Sequence, residues 1–142
     1  MLEIVNFYAV LASVLAAQVI GMTWYSGVLF GKLWFRLAFP GKRMEDVDTG
    51  SKVPYVVSFI ASGITALICN YLMNILAIKS LVDMLIVASV TSSFHCALSI
   101  IHDSFQHTSF GLFLINGTYD FVLVLAFCLI SLLFNLKFCF SF

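Results

Sequence analysis

The stretch "IVNFYAVLASVLAAQVIGMTWYSGVLF", residues 4–30, decides the fold class of this chain. It contains no charged residue, and it is longer than the roughly 20 apolar residues that cross a bilayer as a helix. Three further runs are long and apolar enough to cross a bilayer, at about 54–78, 81–101 and 110–136, the last two with one aspartate each. The sequence therefore predicts an all-α integral membrane protein, a single domain over residues 1–142 built as a four-helix transmembrane bundle.

Composition supports the same class. Of the 142 residues, 62% are hydrophobic and only 10% are charged, which would leave a soluble domain of this size without an adequate polar surface. Seven basic and seven acidic residues cancel formally, so no overall field attracts nucleic acid. The bilayer is the expected partner, and nucleic acid is not.

One hydrophilic segment, "GKRMEDVDTGSKV" at 41–53, is the convincing loop outside the membrane, and Pro40 and Pro54 bracket it. Basic residues gather beside this first loop, which predicts a cytosolic, or matrix or stromal, location for it; they are Lys32, Arg36, Lys42, Arg43 and Lys52. The sequence points to no particular membrane. Spans two and three form a tight hairpin, in which Ser80 caps the third helix and Asp83 is its capping partner.

The end of the first span carries the aromatic and basic residues expected where a helix meets lipid headgroups. These interfacial anchors are Trp24, Tyr25, Lys32, Trp34 and Arg36. Gly27 and Gly31 permit a bend, so we expect an interfacial helix after the first span, running through Phe39.

Two motifs carry a family resemblance. "WYSGVLFGKLW" at 24–34 and "FLINGTYDFV" at 113–122 resemble the end of the first span and the start of the fourth in a family of small four-span membrane proteins, catalogued as domain of unknown function 1761. The resemblance extends from about Asn6 to Phe138 and implies the same four-span fold. The family pattern favours proline after "WYS", where this chain has Gly27. No activity follows from the resemblance.

The third span contains an unusual stretch, "TSSFHCALSIIHD" at 91–103. Ser92, His95, Ser99 and His102 are spaced three, four and three apart, which places them on one stripe of a helix. At about 1.5 Å per residue from the first-loop side, side chains from all four helices reach similar depths, about 9–15 Å; they are Gln18, Ser62, His95, Asn116 and Asp120.

Two interpretations of this polar layer stay open. Hydrogen bonds from serine, threonine and glutamine ordinarily join membrane helices, at about 1 kcal/mol each, and this is the default for Ser62, Ser92, Ser99 and Gln18. His95 and Asp120 are different because their ionised forms are costly in a membrane unless paired or hydrated. We predict that these two pair and that Asn116, one turn before Asp120, joins them. At the membrane edge, His102, Asp103 and His107 are either solvated loop residues or an entrance.

Cofactor and enzyme chemistry find little support in the sequence. His95 and His102 lie about 10 Å apart along one helix, so they cannot be the two axial ligands of one haem within a monomer, although a dimer could supply the second ligand. No metal-ligand spacing is present. No nucleophile elbow or other catalytic motif is identifiable. We therefore expect no enzyme and identify no cofactor.

The sequence favours a small channel or transporter, working as a homo-oligomer, that moves protons, ions or a small polar solute through the polar layer. The alternative is an accessory or structural subunit of a larger membrane complex, such as an energy-converting assembly. Small residues at Ala9, Ser13, Ala17 and Gly21 let another helix approach closely, within this bundle or from another subunit. An enzyme acting on lipid or quinone is a distant third.

Overall fold

The computed structural model describes residues 5–47 and 50–139, so position 4 of the first predicted span and the tail at 140–142 lie outside the described residues. The described chain is helical along most of its length. Its α-helices are α1 (Phe7–Trp24), α2 (Gly31–Ala38), α3 (Val53–Ile75), α4 (Leu81–Gln106) and α5 (Phe110–Cys139), and a short 3-10 turn covers Met44–Asp46.

Four of these helices, α1, α3, α4 and α5, are long and apolar enough to cross a membrane. The predicted all-α, four-span class is thereby confirmed. Helix α1 ends at Trp24, six residues before the predicted end of the first span, because the chain turns there. Helix α4, the third span, extends to Gln106, beyond the predicted end at 101, since nothing in "HDSFQ" breaks a helix.

Local capping explains where the helices begin and end. The Asn6 side chain accepts hydrogen bonds from the backbone N–H groups of Tyr8 and Ala9, which starts α1. Pro54 lies in the first turn of α3, where a missing N–H is harmless. Ser80 caps α4 as predicted: its Oγ accepts from the Asp83 N–H at 3.1 Å and donates to the Asp83 carboxylate at 2.7 Å.

The three helices α1, α3 and α5 all pack against one another, whereas α4 packs mainly along α5. Small residues are buried on both α1 and α3, which contact each other. Ala9, Ser13 and Ala17 are buried on α1, and Ser62 and Ala66 are buried on α3. The small residues are therefore used within the chain itself, and α4 lies at the edge of the bundle.

The bend after α1 depends on Gly31. The Gly31 N–H donates to the Ser26 carbonyl at 2.9 Å and the Phe30 N–H donates to that of Trp24 at 3.0 Å, which folds residues 25–30 into a compact turn. An added Cβ at Gly31 would clash with the carbonyl oxygens of Tyr25 and Ser26. The predicted helix after the first span is present as α2, with Lys32 and Arg36 exposed and Gly31 buried.

Candidate functional site

The two motifs "WYSGVLFGKLW" and "FLINGTYDFV" lie against each other. The Trp24 indole Nε1 donates to the Ile115 carbonyl at 3.3 Å, and the Tyr25 hydroxyl donates to the Asn116 Oδ1 at 3.1 Å. Burial raises the pKa of the Tyr25 phenol, and the nearby Asp120 carboxylate raises it further. Tyr25 therefore remains protonated, as a hydrogen-bond donor, at neutral pH.

Aromatic packing reinforces this contact. The ring of Tyr25 meets that of Tyr119 edge-on, with centroids 5.1 Å apart, and that of Trp34 in the same way at 5.6 Å. The Tyr119 hydroxyl lies 3.0 Å from where a Cβ on Gly21 would be. Gly21 is therefore the small residue that lets this ring approach α1.

The pair predicted from depth, His95 and Asp120, comes together on the α4–α5 contact. The His95 Nδ1 lies 3.6 Å from the Asp120 Oδ2, a separation at which the two attract strongly when the imidazole is protonated. Their side chains are 54% and 38% exposed on the surface of the chain. The chain itself therefore leaves the pair partly uncovered, and the pair is not sealed in the core.

Helix geometry places the pair well inside the membrane. His95 is 11 residues before the end of α4 and Asp120 is 10 residues after the start of α5, so both lie about 15 Å from the first-loop end of their helices. Asn116 lies one turn before Asp120 and is held by Tyr25. The site that these contacts define consists of His95, Asp120, Asn116, Tyr25 and Tyr119, and we call it the polar site.

The other residues of the predicted layer are arranged differently. Ser62 donates to the carbonyl of Ser58 in its own helix at 2.7 Å, and Gln18 is half-buried on α1. Ser99 is half-buried one turn beyond His95. At the end of α4, His102 and His107 are exposed and Asp103 is half-buried; His107 ends the helix in a left-handed conformation, with φ at 53°. The functional roles predicted for these residues stay predictions.

Ser92 lines a groove along the α4–α5 contact. Its hydroxyl is buried and makes no hydrogen bond among the described residues. The groove has a volume of about 510 Å³, and Cys96, Phe113, Gly117 and Phe121 are among the residues that line it. It lies beside the polar site and is mainly apolar.

A second polar cluster was missed from the sequence. Asn70 and Ser131 are fully buried, and the Asn70 Nδ2 donates to the Ser131 Oγ at 3.0 Å. The Asn135 Nδ2 donates to the Asn74 Oδ1 at 2.6 Å. A signal was available, because Asn70 and Asn74, and likewise Ser131 and Asn135, are four residues apart in apolar runs.

Within residues 5–47 and 50–139, no three His, Cys, Asp or Glu side chains gather in a way suited to a metal ion. The functional groups of the polar site are two phenol rings, one amide and one imidazole–carboxylate pair. Lys32 and Arg36 are exposed on α2, and the Trp34 ring of that helix packs against the Tyr25 ring of the site.

Four long apolar helices define an integral, multi-pass membrane protein. Residues 8–132 match the family model described as a protein of unknown function, DUF1761. Because this match covers most of the chain, the protein belongs to that family, as its two motifs indicated. No curated protein and no solved structure matches the chain.

Proposed function

We propose that the protein is a small membrane transporter or channel that moves protons, other ions or a small polar solute by way of the polar site, and that it works as a homo-oligomer. The observation that carries this proposal is the 3.6 Å approach of His95 and Asp120, with both side chains partly exposed. A carboxylate at this depth is costly unless it has a partner or water. Neutral side chains are sufficient to hold helices together, so an ionisable pair that the chain leaves partly uncovered supports a transport role.

The chemistry of the pair favours a proton among the candidate species. Histidine is the side chain whose charge changes nearest to neutral pH, and a carboxylate beside it shares and returns a proton. Ser99, one turn further along α4, and Asn116, one turn back on α5, would line the route between the pair and the first-loop side. His102, Asp103 and His107 would stand at its entrance.

The test is proton flux into liposomes that contain the purified protein, measured with an internal pH-sensitive dye and an imposed pH gradient. We expect flux above that of empty vesicles, and loss of it in His95→Ala and Asp120→Asn. Asp46→Asn is the matched control, since this carboxylate lies in the exposed first loop and pairs with Arg43. Absence of flux for protons, sodium and potassium, with His95→Ala altering only stability, would end the proposal.

A second candidate is an accessory subunit of a larger membrane complex, and the position of α4 favours it. Only 11% of the residues in the most apolar window of α4 are buried, against 22–28% in the other three spanning helices. A helix from another protein, packed against α4, would cover the apolar residues that this chain leaves exposed. Extraction in a mild detergent, followed by native mass determination, separates the two candidates: a particle built from this polypeptide alone supports transport, and stoichiometric foreign chains support the subunit.

A further inference from the structure

The two ends of the bundle are packed differently. On the first-loop side, every residue from 53 to 60 of α3 is exposed, and no residue from 93 to 106 of α4 is buried. Toward the opposite side, α3, α4 and α5 share a continuous core that includes Met73, Met84 and Phe127. On the first-loop side α3 and the end of α4 thus pack little against their neighbours, whereas Trp24 and Tyr25 keep the turn after α1 on α5. Beyond the polar site α3, α4 and α5 pack together.

A hydrogen-bonded clamp joins α3 to α5 on the closed side. It consists of Asn70, Asn74, Ser131 and Asn135, linked by the 3.0 Å bond from Asn70 to Ser131 and the 2.6 Å bond from Asn135 to Asn74. The Asn74 amide also donates to the Asn70 Oδ1 at 3.2 Å, which ties the two rungs of the clamp together. The first turn of α1 is attached as well, because the Asn6 backbone N–H donates to the same oxygen at 2.8 Å.

The clamp and the core lie between the polar site and the opposite side. Phe127 is seven residues after Asp120 on α5 and is fully buried, so it lies about 10 Å further along the helix. Ser131 follows one turn later, about 16 Å from Asp120. A solute at the polar site therefore meets first a phenylalanine and then two rungs of amide hydrogen bonds.

We infer that the protein is a carrier that works by alternating access, and that the structure is its state open to the first-loop side. Phe127 and the amide clamp form the closed gate, and separation of α3 from α5 opens it. This inference rests on the proposed transport function and chooses the carrier over the channel. A channel needs a continuous path across the membrane, whereas a carrier closes one side while the other is open. Interhelical hydrogen bonds in membranes are individually weak, so the clamp is breakable during a transport cycle.

The first test locks the gate. Asn74→Cys and Asn135→Cys are combined in a full-length chain whose four native cysteines are alanine, and a short, membrane-permeant bis-methanethiosulfonate reagent is added to proteoliposomes. The ends of the two asparagine side chains meet at 2.6 Å, so a short linker can bridge the shorter cysteine side chains where a direct disulfide has no established geometry. We expect a cross-link between α3 and α5, loss of flux, and recovery with a reductant. The single variants are the controls. Unchanged flux in the cross-linked protein would overturn the inference.

The second test does not need flux. His95→Cys in the same cysteine-free chain is labelled with a membrane-impermeant maleimide applied from one side at a time. We expect labelling from the first-loop side only. Adding Asn135→Ala, which removes one rung of the clamp, raises the labelling rate from the opposite side about fivefold, the factor expected for one interhelical hydrogen bond.

Thr65→Ala is the matched control for that change, because the Thr65 hydroxyl donates only to the Ala61 carbonyl of its own helix. Labelling of His95→Cys from both sides without any clamp mutation would overturn the inference. If the parent protein shows no flux but labelling follows the expected pattern, the transport proposal fails and the one-sided closure stands. If flux is present and labelling is two-sided, transport stands and the gate fails.

Discussion

Replacement of Gly31 by alanine is the change that the fold should tolerate least near the first loop. The added methyl meets the carbonyl oxygen of Tyr25 and lies 2.6 Å from that of Ser26. Both atoms belong to the backbone, so no side-chain rotation relieves the contact. To make room, α2 must move away from the turn, which breaks the Gly31 N–H bond to Ser26.

The cost follows from these contacts. Overpacking against rigid neighbours costs about 1–3 kcal/mol, and loss of one backbone hydrogen bond adds about 1 kcal/mol. Displacement of α2 also separates Trp34 from the Tyr25 ring, now 5.6 Å away between centroids. We therefore expect Gly31→Ala to lower the free energy of unfolding by about 2–4 kcal/mol.

Gly27→Ala is the matched control in the same turn. The nearest atom to its added methyl is the Lys32 Cε at 3.8 Å, so its effect should stay within about 0.5 kcal/mol. The assay is unfolding of the detergent-solubilised protein followed by tryptophan fluorescence. It suits this region because the chain has two tryptophans, and both Trp24 and Trp34 belong to the motif. Equal stability of the two alanine variants would refute the reasoning.

Three further changes test other parts of the structure. His107→Gly should stabilise the protein by about 1 kcal/mol, because the left-handed conformation at φ 53° strains a side chain and not glycine; thermal unfolding measures this, and a loss of stability would contradict it. Asn70→Ala should destabilise by about 1–3 kcal/mol, since it leaves the Asn6 N–H and the Ser131 hydroxyl without this partner; an effect no larger than that of Thr65→Ala would argue against the clamp. Tyr25→Phe should lower the free energy of unfolding by about 1 kcal/mol, but should have no such effect in an Asn116→Leu background, where the hydrogen bond is already lost. Additive effects in this double-mutant cycle would show that the two side chains do not interact.

The contact between the two family motifs gives the aromatic anchors a second meaning. From the sequence, Trp24, Tyr25 and Trp34 are predicted to be headgroup anchors, and that role stays a prediction. In the folded chain, Tyr25 also holds Asn116 and packs against Tyr119, the residue before Asp120. The turn after α1 therefore positions the polar site, which the anchor interpretation alone does not provide.

The similar depths of His95 and Asp120 along their helices were enough to predict that these two residues pair. Two residues at the same level on neighbouring antiparallel helices are candidates for contact, and the structure has them 3.6 Å apart. Their use in transport stays a prediction. The same counting placed Ser62 at this level, but that hydroxyl bonds to its own helix. Depth does not reveal the direction in which a side chain points.

The sequence by itself determined the fold class, the four spans, the helix after the first span and the family. Each of these depends on local properties: the length of an apolar run, a cap such as Ser80, or a glycine at a bend. The tertiary structure alone decided that α4 lies at the edge, that Asn70 on α3 bonds to Ser131 on α5, and that the first two turns of α3 are exposed. The physical reason is that lipid and protein interior are almost equally apolar, so hydropathy does not fix the rotation of a helix, and only packing against its neighbours sets it.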